Sequence, residues 1–185
     1  MKQHLLPAIK LTIICLLLFC GLYSLLILGI AQAAPNKGEG QTISVNNKVV
    51  GYELEGQSFT ADKYFNGRPS AAGYNAAGSS GSNKGPSNPD YLKTVQDRVD
   101  TFMAHNPTVQ KANIPSELVT ASGSGLDPDI SLQAANVQID RIAQVRKIGA
   151  DKIAALVKSH MEQSPYNGIE KINVLKLNIA LDQIK

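Results

Sequence analysis

The chain has no tryptophan, only two cysteines and no run of lysine or arginine. Each shortage removes a class of explanation. Cys15 and Cys20 both lie in the apolar N-terminal stretch, so the rest of the chain has no disulfide framework and no cysteine metal site, and packing must stabilise it. The net charge of +3 comes from basic residues scattered along the chain without interleaved aromatics. That pattern argues against a nucleic-acid surface.

What is present begins with a long apolar run. From Leu11 to Ala34 the plainly polar residues are Thr12, Ser24 and Gln32, and no charge occurs, enough to exceed the roughly 20 residues that span a bilayer. Ala31-Gln32-Ala33 before Pro35 would suit a cleaved signal peptide, but the run is longer than a signal core of about 7–15 residues. A retained transmembrane helix is therefore expected over 11–34. Lys2 and Lys10 precede it, while Lys37, offset by Glu39, follows it. This bias puts residues 1–10 in the cytoplasm and a domain spanning 35–185 outside. Gly21 and Gly29, with Ser24 between them, leave room for another membrane helix.

About 150 residues remain after the anchor, enough for one modest core. The expected fold class is α+β, a single extracytoplasmic domain with a small sheet, several helices and a long ordered loop region. Thr42–Val45 and Lys48–Leu54 alternate as a hairpin around Asn46-Asn47, since asparagine tolerates the left-handed region. Gln57–Pro89 is rich in Gly, Ser, Asn and Pro, yet Phe59, Tyr64, Phe65, Arg68 and Tyr74 recur through it. A solvated linker has no use for such anchors, so they plug the domain's own core or meet a partner. Asn88-Pro89-Asp90 opens a helix with Leu92, Val95, Val99, Phe102 and Met103 on one face, ending near His105. Leu132–Lys147 is helical in pattern, with Ile139–Arg146 as a possible separate helix, and Ile153, Leu156, Val157 and Met161 mark another helical stripe. A short strand and then a short helix are expected over Ile172–Leu181, where Asn173 and Asn178 read as backbone-bonding groups.

At the centre lies Leu118–Ser131. Leu118-Val119-Thr120 suits a strand end, Ala121–Gly125 allows close backbone approach, and Asp127-Pro128 or Ser131 can start a helix. The segment lacks the lysine of a phosphate-binding loop and the third glycine of a dinucleotide loop. Asp127, Asp129 and Ser131 alternate as in a calcium loop, but the sixth place is not glycine and Gln138 occupies the twelfth. Ser122 or Ser124 with Asp127 and His160 would give a membrane-anchored serine hydrolase or wall-facing enzyme, without the usual nucleophile elbow. The plainest reading is a tight turn at a packed interface.

Four blocks carry a family resemblance. Phe65-Asn-Gly-Arg-Pro-Ser70, Ser79-Ser-Gly-Ser-Asn-Lys-Gly-Pro-Ser-Asn-Pro89, Thr120-Ala-Ser-Gly-Ser-Gly-Leu-Asp127-Pro128 and Asn173-Val-Leu-Lys-Leu-Asn-Ile-Ala-Leu-Asp182 follow in this order. Together they resemble the C subunit of the bacterial Kdp-type potassium-transporting ATPase. The resemblance implies a non-catalytic, single-span accessory subunit of an ATP-driven potassium import pump in the cell membrane. It implies a potassium-carrying A subunit and an ATP-hydrolysing B subunit as partners, and a role in assembly. It also implies a catalytic chaperone that raises the ATP affinity of the B subunit, with Gln138 as the ATP contact. Interface candidates within or beside the blocks are Phe65, Arg68, Asn83, Asn88, Ser122, Gly123, Ser124, Gly125 and Asp127. An outside domain cannot meet cytosolic ATP, so a cap on the A subunit agrees better with the residues.

Overall fold

The computed structural model describes residues 2–163 and 168–184. The chain divides into two compact units, Met1–Gln41 and Thr42–Lys185. In the first, α1 (Lys2–Cys15), a wider π-helical segment (Leu16–Leu22) and α2 (Tyr23–Ala33) follow without a break. Gln3–Ala33 is long and apolar enough to cross a membrane. Its 31 residues span about 46 Å at 1.5 Å per residue. The helix thus extends beyond the apolar run that starts at Leu11, back through Pro7 to Lys2.

The second unit opens with β1 (Thr42–Val45) and β2 (Lys48–Tyr52), an antiparallel hairpin with Val45 opposite Lys48. Asn46 and Asn47 both take positive φ, 52° and 61°, as a two-residue turn matched to strand twist requires. The 57–89 region is an ordered coil because its aromatics are anchored. Phe65 is fully buried in the core and Phe59 packs against it. Tyr64 meets Phe59 edge-on at 5.8 Å and donates to Asp182 at 2.9 Å, while Tyr74 donates to Arg68 O at 2.8 Å.

Asn88 caps α3 (Pro89–His105) by accepting from Tyr91 N. Burial grows along this helix, from Leu92 at 53% exposed to Val99 at 8%, so the first turn overhangs the packed part and Leu92 is not a core residue. Leu118–Thr120 is not a strand. Ser116–Leu118 makes a 3-10 turn after Pro115, and Thr120 returns both its N–H and its hydroxyl to Ser116 O. These local bonds outweigh the β-propensity of Val119 and Thr120.

A three-stranded antiparallel sheet in the order β3-β5-β4 is built from β3 (Asp129–Ile130), β4 (Met161–Gln163) and β5 (Glu170–Asn173). Met161 therefore starts a strand instead of closing the helical stripe, because α6 (Ala150–Ser159) ends at the His160 C-cap. Ser131, not Asp127, caps α4 (Leu132–Asn136), and α5 (Ile139–Arg146) is separate from it. β5 runs straight into α7 (Val174–Gln183), capped by Asn173. Ile130, Ile142, Ile153, Val157, Ile172, Leu177 and Leu181 form the core between these elements.

Leu177→Ala is expected to lower stability by about 2–5 kcal/mol, the usual cost of a buried leucine truncation. Asn88→Ala should lower it by about 1 kcal/mol, one lost helix cap. Urea titrations followed by circular dichroism measure both.

Candidate docking face and its buried clamp

The segment from Asp62 to Asn66 dips into the core at Phe65 without a strand to pair with. Most of its backbone groups are satisfied by side chains instead. Asn178 on α7 accepts from Phe65 N at 2.9 Å and donates to Phe65 O at 3.0 Å. Gln138, at the start of α5, accepts from Asn66 N at 2.8 Å and donates to Asn66 O at 3.2 Å and Ala134 O at 3.0 Å. Two neighbouring residues, Phe65 and Asn66, are thus each held by a buried carboxamide through both the backbone N–H and the C=O.

Arg141, one turn beyond Gln138 and almost wholly buried, completes the clamp. Its guanidinium donates to Asn106 Oδ1, Asn66 Oδ1, Gln138 Oε1 and the carbonyls of Asp62 and Tyr64. Asp62 is its acidic neighbour, at 3.8 Å and half exposed. Burial pulls the Arg141 pKa below its usual value, with the Asp62 charge opposing. Neutral oxygens therefore carry most of the compensation for this buried cation.

The glycine segment packs against the 67–83 coil. Ser122, itself buried, donates its N–H to Pro69 O and its Oγ accepts from Gly125 N. Ser70 Oγ donates to Gly125 O at 2.6 Å, and Ser79 Oγ to Ser124 O at 2.9 Å. Gly125 has φ +70°, and a Cβ there would lie 2.7 Å from Ser80 O; no other residue type fits without moving that strand of coil. Arg68 Nη1 meets Asp127 Oδ2 at 2.9 Å, and Arg68 Nε is buried with no hydrogen-bond partner. Asp127 Oδ1 accepts from Asp129 N, and Asp129 pairs with Lys171 at 2.7 Å. That hydrogen bond raises the Lys171 pKa.

The structure separates the residues that sequence reasoning grouped. Phe65 and Gln138 are fully buried, and Ser122 nearly so. Gly123, Ser124 and Asn83 are exposed, while Arg68, Asn88 and Asp127 are half-buried. Ser122 Oγ and Ser124 Oγ accept from the backbone N–H groups of Gly125 and Leu126. His160 Nδ1 is bonded to its own neighbours Leu156 O and Ser159 Oγ, so the structure does not bring it to Ser122 or Ser124. Gln138 is not presented for an ATP contact: both ends of its carboxamide are bonded inside the core. In the glycine segment the Ser122, Gly125 and Leu126 amides bond this chain's own oxygens.

Sequence reasoning missed Arg141. The signal was a charge between two apolar core positions, Ile139 and Ile142. It also gave no weight to the hairpin as an apolar surface. Val49 and Leu54 are 54% and 66% exposed, and Val50 and Tyr52 are exposed beside them.

The comparisons with known proteins agree with this architecture. A family model described as "KdpC: K+-transporting ATPase, c chain" matches residues 5–183. Proteins named potassium-transporting ATPase KdpC subunit are similar along their whole length. The one from Flavobacterium psychrophilum is 53% identical over 183 residues, covering 99% of this chain and all of that protein. The Flavobacterium johnsoniae protein is 54% identical with the same coverage, and that of Bacillus cereus is 43% identical, covering 99% of this chain and 97% of its own. With a matched model over nearly every residue and full-length relatives at these identities, the chain belongs to the KdpC family, the c chain of the potassium-transporting ATPase.

Proposed function

We propose that this subunit is a non-catalytic, single-pass component of the cell membrane whose folded unit caps the outer face of the potassium-carrying A subunit. In this reading it secures the assembly of that subunit with the ATP-hydrolysing B subunit, and potassium is the ion the complex moves. The observation that carries it is the apolar row on the β1–β2 hairpin. A two-stranded hairpin is marginal by itself, and this one leaves Val49, Val50, Tyr52 and Leu54 exposed. The hairpin begins nine residues after α2 ends at Ala33. A chain tied to a membrane complex at that point has its bare apolar residues close in sequence to its anchor. Such a patch marks a protein contact more often than an idle surface.

Direct nucleotide contact by this subunit is the weaker reading. The positive-inside bias of Lys2 and Lys10 supports a cytoplasmic N-terminus and an outside domain, and Gln138 is engaged inside the core. An influence on ATP affinity would then act through the assembled complex.

Three expectations follow. With Cys15 and Cys20 replaced by alanine, a single Ala155→Cys on the exposed side of α6 should react with an impermeant thiol reagent on intact cells. Labelling confined to inverted vesicles would overturn the cap. Leu54→Asp combined with Val49→Asp should reduce co-purification of the A subunit at least about tenfold while leaving the melting temperature within a few degrees, since exposed positions seldom change stability by more than about 0.5 kcal/mol. Gln138→Ala should destabilise the subunit by about 1–3 kcal/mol for each buried group it orphans, with no change in the retention of a photoreactive ATP analogue by the isolated chain.

A further inference from the structure

A cavity of about 470 Å³ opens between α3 and the 59–66 segment, within the roughly 300–1,000 Å³ of small-molecule sites. Phe59, Phe102 and Leu118 give it an apolar wall, and Asp62, Asp97 and Arg98 bring charge of both signs. Asn66 and Asn106 also line it. Their side-chain oxygens are taken by Arg141, and their amides by Phe59 O and Phe102 O. These two carboxamides make the lining rigid but have little left to offer a ligand. The Thr94 and Thr101 hydroxyls likewise donate back to Asp90 O and Asp97 O.

Recognition therefore falls to the charged groups. Arg98 gives a hydrogen bond to Val119 O, one of the five donors a guanidinium carries. Asp62 is met by His105 at 2.8 Å and Asp97 by Lys93 at 2.8 Å, and each carboxylate retains acceptor sites beyond one partner. A ligand with a single charge would meet attraction from one group and repulsion from the other. Two rim carboxylates also disfavour a triphosphate.

We propose that this cavity binds a small amphiphilic zwitterion of amino-acid type. Its carboxylate pairs with Arg98, its ammonium with Asp97, and its apolar group rests on Phe59, Phe102 and Leu118. The buried Arg141 clamp acts as the positioning element, holding Asn66 and Asn106 in place beneath the ligand. The site is independent of which face of the membrane the domain occupies.

The test uses the full chain in lipid nanodiscs, titrated calorimetrically with L-phenylalanine, phenethylamine and 3-phenylpropionate. The three share a ring and differ in charge. L-Phenylalanine is expected to bind, and the two singly charged analogues to bind at least about tenfold more weakly. Arg98→Gln and Asp97→Asn should each weaken L-phenylalanine at least about tenfold, with Arg98→Lys intermediate. Thr101→Phe, an exposed helix position on the cavity wall, should abolish binding by filling the space, and serves if Arg98→Gln lowers the melting temperature. No binding by any probe, equal binding of phenethylamine, or undiminished binding in Thr101→Phe would overturn the proposal.

Discussion

Backbone that enters a core without joining a helix or a sheet must find its hydrogen bonds elsewhere, and residues 62–66 find most of theirs in side chains. Asn178 and Gln138 hold Phe65 and Asn66 respectively, each by both the backbone N–H and the C=O. Arg141 then binds the preceding carbonyls of Asp62 and Tyr64. The three side chains come from α5 and α7, so the coil, both helices and the Phe65 plug are fixed by one set of contacts. The wall of the α3 cavity inherits its shape from the same set, because Asn66 and Asn106 are Arg141 partners. A buried arginine with a distant carboxylate is a costly element. Here its cost is offset by five oxygen acceptors around the guanidinium.

Much of this was legible in advance. The hairpin followed from alternation around Asn46-Asn47, α3 from the Asn88-Pro89 start, and the order of a short strand before a short helix from the pattern of Ile172–Leu181, although the strand there is mostly upstream, at Glu170–Asn173. These are places where local chemistry and tertiary packing agree. Leu118–Thr120 misled because β-branched propensity is weaker than the local bonds back to Ser116 O. Met161 misled because a stripe of period four continues by chance into a strand whose register is set by Ile172 across the sheet. Asn178 reads correctly as a backbone-bonding group, but its partner Phe65 lies 113 residues away in sequence and could not be named; Arg141 was missed because most of its partners lie 35 or more residues away.

The glycine segment shows how a loop shaped like a ligand cradle can be self-contained. Its amides point at Ser122 Oγ, Ser124 Oγ and Pro69 O, where a phosphate-binding loop would leave them open. Its small residues serve the close approach of the 67–83 coil, as the Gly125 contact with Ser80 O requires. In a membrane pump subunit without catalytic machinery, what such a loop supplies is a rigid, low-relief patch around Gly123, Ser124 and Asn83.

The membrane helix carries one more consequence. Within Leu16–Leu22 the helix is wound wider than in α1 and α2, so each extra residue taken into a turn rotates everything after it by roughly 100° relative to an unbroken α-helix. The lipid-depth stripe read from α1 and the one read from α2 therefore do not line up as one seam. A single rod becomes a two-faced spindle. Any neighbour that follows the stripe of α1 is handed over past Leu22 to a different set of side chains on α2, among them Ser24 and Gly29.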